Sequence, residues 1–109
     1  MQELAHRHDY ANKDIGMYLL PLERGRAIHC EFDLHCRPSD QSEWDGVHEL
    51  WLKSSEELMR GGAYFDKPYG AWAEMVYSRA SNYTSMLKKL KSEIDPNNVL
   101  NPGKLCFSQ

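Results

Sequence analysis

The chain has 109 residues, a net charge of −3 and 41% hydrophobic residues, which leaves room for one small domain with a thin core rather than for two. Lys and Arg are scattered except for Lys88, Lys89 and Lys91, so there is no basic footprint for a nucleic acid. No apolar run reaches the length of a membrane span, the first twenty residues lack the layout of a signal peptide, and Cys30, Cys36 and Cys106 have no Cys-x-x-Cys spacing; a cytoplasmic chain with reduced thiols is expected.

Met1 to Asp9 reads as the end of a helix, with His6, Arg7 and His8 in the last turn, where cations suit the helix dipole. An apolar run, Ile15 to Leu22, is followed by the turn Glu23-Arg24-Gly25-Arg26 and by Ala27 to Cys36, which alternates without a break. Ile28, Cys30, Phe32, Leu34 and Cys36 fall on one side and His29, Glu31, Asp33 and His35 on the other, so the pattern predicts a β-hairpin with one buried face. Pro21 marks the end of its strand or an edge position. A lone hairpin is marginal in water and leaves two open edges, so a homodimer pairing hairpin with hairpin is expected.

Asp40 with Glu43 reads as a capping box, and Trp44, Val47, Leu50, Trp51 and Leu58 keep one side of the following helix apolar up to Gly61-Gly62. The loop from Ala63 to Gly70 carries three aromatic rings, which either plug a core or line a pocket. Trp72, Met75, Val76 and Arg79 suggest a short helix. Tyr83, Met86, Leu87, Leu90 and Ile94 give a last amphipathic one, with Ser81 as its expected N-cap. Asp95-Pro96-Asn97-Asn98 stops that helix, because proline disfavours the helical region for the residue before it and asparagine tolerates left-handed backbone. Pro102-Gly103 then makes a second turn, with Lys104 projecting beside it. The class is α+β, an antiparallel hairpin packed against three to four helices.

The polar strand face His29, Glu31, Asp33, His35 is the strongest chemical constellation. Neighbours on it lie about 7 Å apart, long for two of them to share one ion, although a facing strand could supply a third ligand. A small metal-dependent enzyme built on His29, Glu31 and His35 is therefore one reading, a solvated strand face another.

The run Asp95-Pro96-Asn97-Asn98-Val99-Leu100-Asn101-Pro102-Gly103-Lys104 resembles the closing motif of FAD-linked oxidases of the vanillyl-alcohol oxidase, 4-cresol dehydrogenase, and D-lactate or glycolate oxidase type. The resemblance implies a C-terminal part of the substrate-side cap domain over residues 1–109, ferredoxin-like in part. The Gly-rich FAD-binding domain would lie elsewhere in the same or a partner chain, so the piece alone is expected to be inactive and to hold no FAD. In the whole enzyme an alcohol, hydroxy acid or alkylphenol would pass a hydride to the flavin.

The cap sheet of the family faces flavin and substrate, which implies His29 or Glu31 as acid, base or orienting group, with His35 beside them on the substrate. Tyr64, Lys67 and Tyr69 occupy the place where phenol-oxidising relatives hold the phenolate with a tyrosine followed by arginine; here Phe65 follows Tyr64, so the cation moves to Lys67 or Arg79. Asn101, Gly103 and Lys104 would approach the cofactor. The family's paired histidines bracketing a Gly-Asp-Gly-Asn segment are matched only in outline by His29 to His35, without the glycines and asparagine, and no residue is assigned to a metal. The competing function is a protein–protein docking or assembly module that uses the aromatic loop and the hairpin edge.

Overall fold

The computed structural model describes residues 1–107 and is α+β. Its elements are α1 (Gln2–Arg7), β1 (Ile15–Leu22), β2 (Ala27–Leu34), α2 (Gln41–Arg60), α3 (Ala71–Arg79) and α4 (Ser81–Ile94), with short 3-10 turns at Asn12–Asp14 and Glu23–Gly25. The chain divides into two compact units, Met1–Glu57 and Leu58–Gln109.

In the first unit, α1 ends because Asp9 turns left-handed, at φ 53°, and the Tyr10 amide reaches back to the Ala5 carbonyl at 2.9 Å. This is the Schellman closure, with aspartate in the place glycine usually takes. β1 and β2 pair antiparallel from Ile15↔Leu34 to Leu22↔Ala27. The connection bends through three successive left-handed residues, Glu23, Arg24 and Gly25, of which only the glycine adopts that backbone at no steric cost.

The register sorts the side chains. Ile15, Met17, Leu19 and Pro21 share a face with Ile28, Cys30, Phe32 and Leu34; Gly16, Tyr18, Leu20 and Leu22 share the other with Ala27, His29, Glu31 and Asp33. The expected buried side is not buried: Met17, Leu19 and Ile28 on the apolar face are 57%, 51% and 61% exposed. The alternation is there, but among the described residues the sheet stops at two strands and nothing covers its tip.

β2 also ends two residues before the alternation does. His35 and Cys36 lie outside the strand. Tyr10 donates its hydroxyl to the His35 carbonyl at 2.8 Å, and Arg37-Pro38 then steers the chain towards the start of α2. Burial raises the Tyr10 pKa above its ordinary value.

Asp40 caps α2 as expected, its carboxylate accepting the Glu43 amide at 3.1 Å, and that hydrogen bond holds its pKa below the usual carboxylate range. The reciprocal half of the capping box is diverted, because Glu43 turns to Arg37, whose Nε donates to it at 2.7 Å. At the far end Ala63 N–H bonds the Leu58 carbonyl and Gly62 N–H that of Met59, with Gly62 at φ 94°. That completes a Schellman stop at the predicted glycines.

In the second unit α3 and α4 are separated by Ala80 alone. Ala80, not Ser81, is the N-cap of α4, and it makes no side-chain cap bond. Thr84 contributes instead, donating its hydroxyl to the Tyr77 carbonyl at 2.7 Å.

Among the described residues the buried apolar side chains are few: Ala5 and Leu50 in the first unit, Met59, Ala73 and Cys106 in the second. The accessible surface is 8678 Å² for 12.7 kDa. Two separate compact chains of half that mass would expose about 7500 Å² together. The two halves taken together therefore expose more surface than two compact chains of their size would.

Candidate functional site

The sequence points to three places, and the structure distributes them over both units. On the mixed face of the hairpin, pleating puts His29 and Glu31 side by side, and Nε2 of His29 lies 2.9 Å from Oε1 of Glu31. The Tyr18 ring meets His29 edge-on with centroids 6.5 Å apart. Asp33 leans over Gly16, where an added Cβ would come within 3.0 Å of the Asp33 Cβ. The glycine therefore makes room for the carboxylate. An imidazole paired with a carboxylate can accept and return a proton, and the pair faces outward, with the two side chains 36% and 60% exposed.

His35 does not join this pair. Lying past the end of β2, it lines an open cleft of about 460 Å³ together with Phe32, Asp33, Cys36 and the α2 residues Trp44, His48 and Trp51. The α2 wall is an aromatic stack. His48 lies flat on Trp44, with centroids 4.9 Å apart and planes 8° from parallel, and 5.5 Å from Trp51 on its other side. The i, i+4, i+7 spacing of these residues makes this stack readable in the sequence, but His48 was not singled out there, because an apolar helix face reads first as core. The metal-enzyme reading loses its ligand set: among the described residues no group of three or more His, Cys, Asp or Glu could hold a metal ion.

The aromatic loop does two things at once. Phe65 and Tyr69 tilt against Trp72 at 4.8 and 6.2 Å, which fastens the loop to the first turn of α3. Tyr64 is 86% exposed and Lys67 is exposed as well. Gly70 enters α3 at φ 56° and ψ −136°, a backbone region essentially closed to other residues. Arg79, the other candidate cation, is committed to structure, with Nη1 donating to the Met59 carbonyl at 3.0 Å.

The closing segment is the most tightly determined of the three. Asp95 is only 6% exposed, and its carboxylate accepts the amides of Val99 and Leu100, both at 2.9 Å, along with the ammonium of Lys91. Lys91 also donates to the Leu100 carbonyl and sits 5.6 Å from the centre of the Phe107 ring. The Lys91 hydrogen bond, ahead of the two amides, holds the Asp95 pKa below the usual carboxylate range against the opposing effect of burial.

Asn98 and Asn101 adopt left-handed backbone, as does Gly103 at φ 70°, and the Lys104 amide closes the turn onto the Asn101 carbonyl. Asn101, Gly103 and Lys104 are all exposed, and nothing lies within 4 Å of a Cβ built on Gly103. Sequence reasoning singled out the turn and missed the Lys91–Asp95 pair that fixes it, although the i, i+4 spacing was a usable signal.

No helix among the described residues is long and apolar enough to cross a membrane. A scan against protein-family models and searches of curated proteins and of solved structures return no match for the chain.

Proposed function

We propose that the chain is the C-terminal, substrate-side cap portion of a cytoplasmic FAD-dependent oxidoreductase that oxidises an alcohol, hydroxy acid or alkylphenol, its sheet completing a ferredoxin-like cap with strands supplied elsewhere. The observation that carries the reading is the closing segment. The motif that resembles the family's forms one fixed structure, anchored on buried Asp95, and it presents Asn101, Gly103 and Lys104 outward in a single turn. An open backbone at Gly103 and an exposed ammonium suit contact with a flavin domain. They form no cradle for the cofactor itself, so FAD would be held by the same or a partner chain.

The His29–Glu31 pair would then handle the substrate proton. Tyr64, Lys67 and Tyr69 would approach the substrate from a loop already fastened by Trp72. The exposed hairpin tip supports the same reading, because it is what a piece of a larger sheet leaves uncovered. It also gives the second reading, a docking module without catalysis of its own, its one specific support.

Titration of FAD with the chain, followed by flavin fluorescence, should show no binding. The coding region ahead of Met1 should read, in frame, a Gly-rich flavin-binding domain, and in that longer protein His29→Ala should slow reduction of the flavin by substrate. Tight stoichiometric binding of FAD to the chain alone contradicts the proposal, and a reading frame without such a domain leaves a partner chain as the holder of the flavin.

A further inference from the structure

The hairpin has two outer edges, and they are not alike. Proline fits a strand only where its missing N–H would have pointed away from the neighbouring strand, so Pro21 turns its nitrogen to the outside of β1 and interrupts that edge. The outer edge of β2, Ala27 to Leu34, carries neither proline nor lysine, the two residue types that blunt an edge most directly. Because Pro21 is opposite Ile28, the same geometry directs the backbone groups of Ile28, Cys30, Phe32 and Leu34 to the outside of β2. Among the described residues no third strand takes them up.

We infer that this β2 edge is the docking site for a second copy of the chain, paired antiparallel about a two-fold axis through Cys30. The register follows from charge. Partners across an antiparallel pair share a face, so only registers that place a residue of β2 opposite itself or opposite one of like parity are open. Centring on His29 puts imidazole against imidazole, and centring on Glu31 puts carboxylate against carboxylate. Centring on Cys30 sets His29 opposite the partner's Glu31, Ile28 opposite the partner's Phe32, and each of these pairs occurs twice. That register alone places the hairpin's own His29–Glu31 pair beside a second, complementary one and opposes no like charges. The result is a four-stranded sheet, β1-β2-β2-β1, whose apolar face runs unbroken from Met17 and Leu19 across Ile28, Cys30 and Phe32 to the same residues of the copy. The inference rests on the hairpin alone and not on the flavin reading, so either can fail without the other.

Sedimentation of the full chain over a concentration series, combined with disulfide trapping, tests it. Cα atoms of a directly opposed antiparallel pair lie about 4.5–5.5 Å apart, within reach of a disulfide. Copper–phenanthroline, taking two electrons and two protons from two thiols, should therefore give a covalent dimer that Cys30→Ser abolishes and Cys36→Ser does not. His29→Glu should weaken the reversible dimer by roughly tenfold, and adding Glu31→Lys should restore it; circular dichroism confirms that both variants fold. A monomer at millimolar concentration, a dimer trapped through Cys36, or a dimer indifferent to His29→Glu overturns the inference.

Discussion

The hairpin and the closing segment are both built from short-range sequence signals, and they end in opposite conditions. Every strong interaction of the closing segment comes from within twelve or so residues of Asp95: two amides four and five positions on, an ammonium four positions back, and the Phe107 ring against Lys91. It carries its own partners. The hairpin has a complete internal register and a wholly apolar face, yet its tip is open on both sides. A strand's donors, acceptors and alternate side chains need neighbours that sequence proximity does not supply. Local hydrogen bonding can finish a turn; it cannot finish a sheet.

The comparison can be broken most sharply at Asp95. Asp95→Ala leaves the Val99 and Leu100 amides without their acceptor and takes the paired carboxylate from a largely buried ammonium that keeps the Leu100 carbonyl, and the melting temperature should fall on the order of 10 °C. A change of only a degree or two would mean that the tail is held by its apolar contacts instead. Acid should do the same reversibly. Because the folded-state pKa of Asp95 is lowered, its contribution to stability is fully present above the ordinary carboxylate value of 3.8 and is lost as pH falls through the lower, folded value. A thermal-melting series in acid should therefore show a steeper loss below about pH 4 in the native chain than in Asp95→Asn.

Gly62→Ala, which forces a Cβ into the left-handed stop of α2, should cost about 1 kcal/mol by urea unfolding. The smallest effect is expected on the hairpin tip: Leu19→Thr or Ile28→Thr should shift stability by under about 0.5 kcal/mol, because each residue is already more than half exposed. A loss of 2 kcal/mol or more there would show that the tip is buried in solution.

What the sequence made legible follows the same division. The two-residue alternation of β2, the Asp40 cap and the Gly61-Gly62 stop depend on residues close in the chain, and each stands where the pattern put it. The buried face of the hairpin and the extension of β2 to Cys36 depended on tertiary neighbours, and both were wrong. Alternation specifies which side chains share a face, not whether anything covers that face, and a tyrosine hydroxyl twenty-five positions away on His35 has no local signature. At the candidate site, His29 and Glu31 came together because strand geometry places them so. His35 parted from them because the strand ends first, and His48 went unnoticed because a histidine between two tryptophans on an apolar helix face looks like core.

Amide hydrogen exchange on the dilute chain puts the contrast to its most direct test. The amides of Val99 and Leu100, held by Asp95, should be strongly protected, while those on the outer edge of β2 exchange at close to the free rate and slow only when the chain is concentrated or a partner is added. Protection of the β2 edge in dilute solution equal to that of Val99 and Leu100 would contradict the account, since it would mean that the hairpin is already complete.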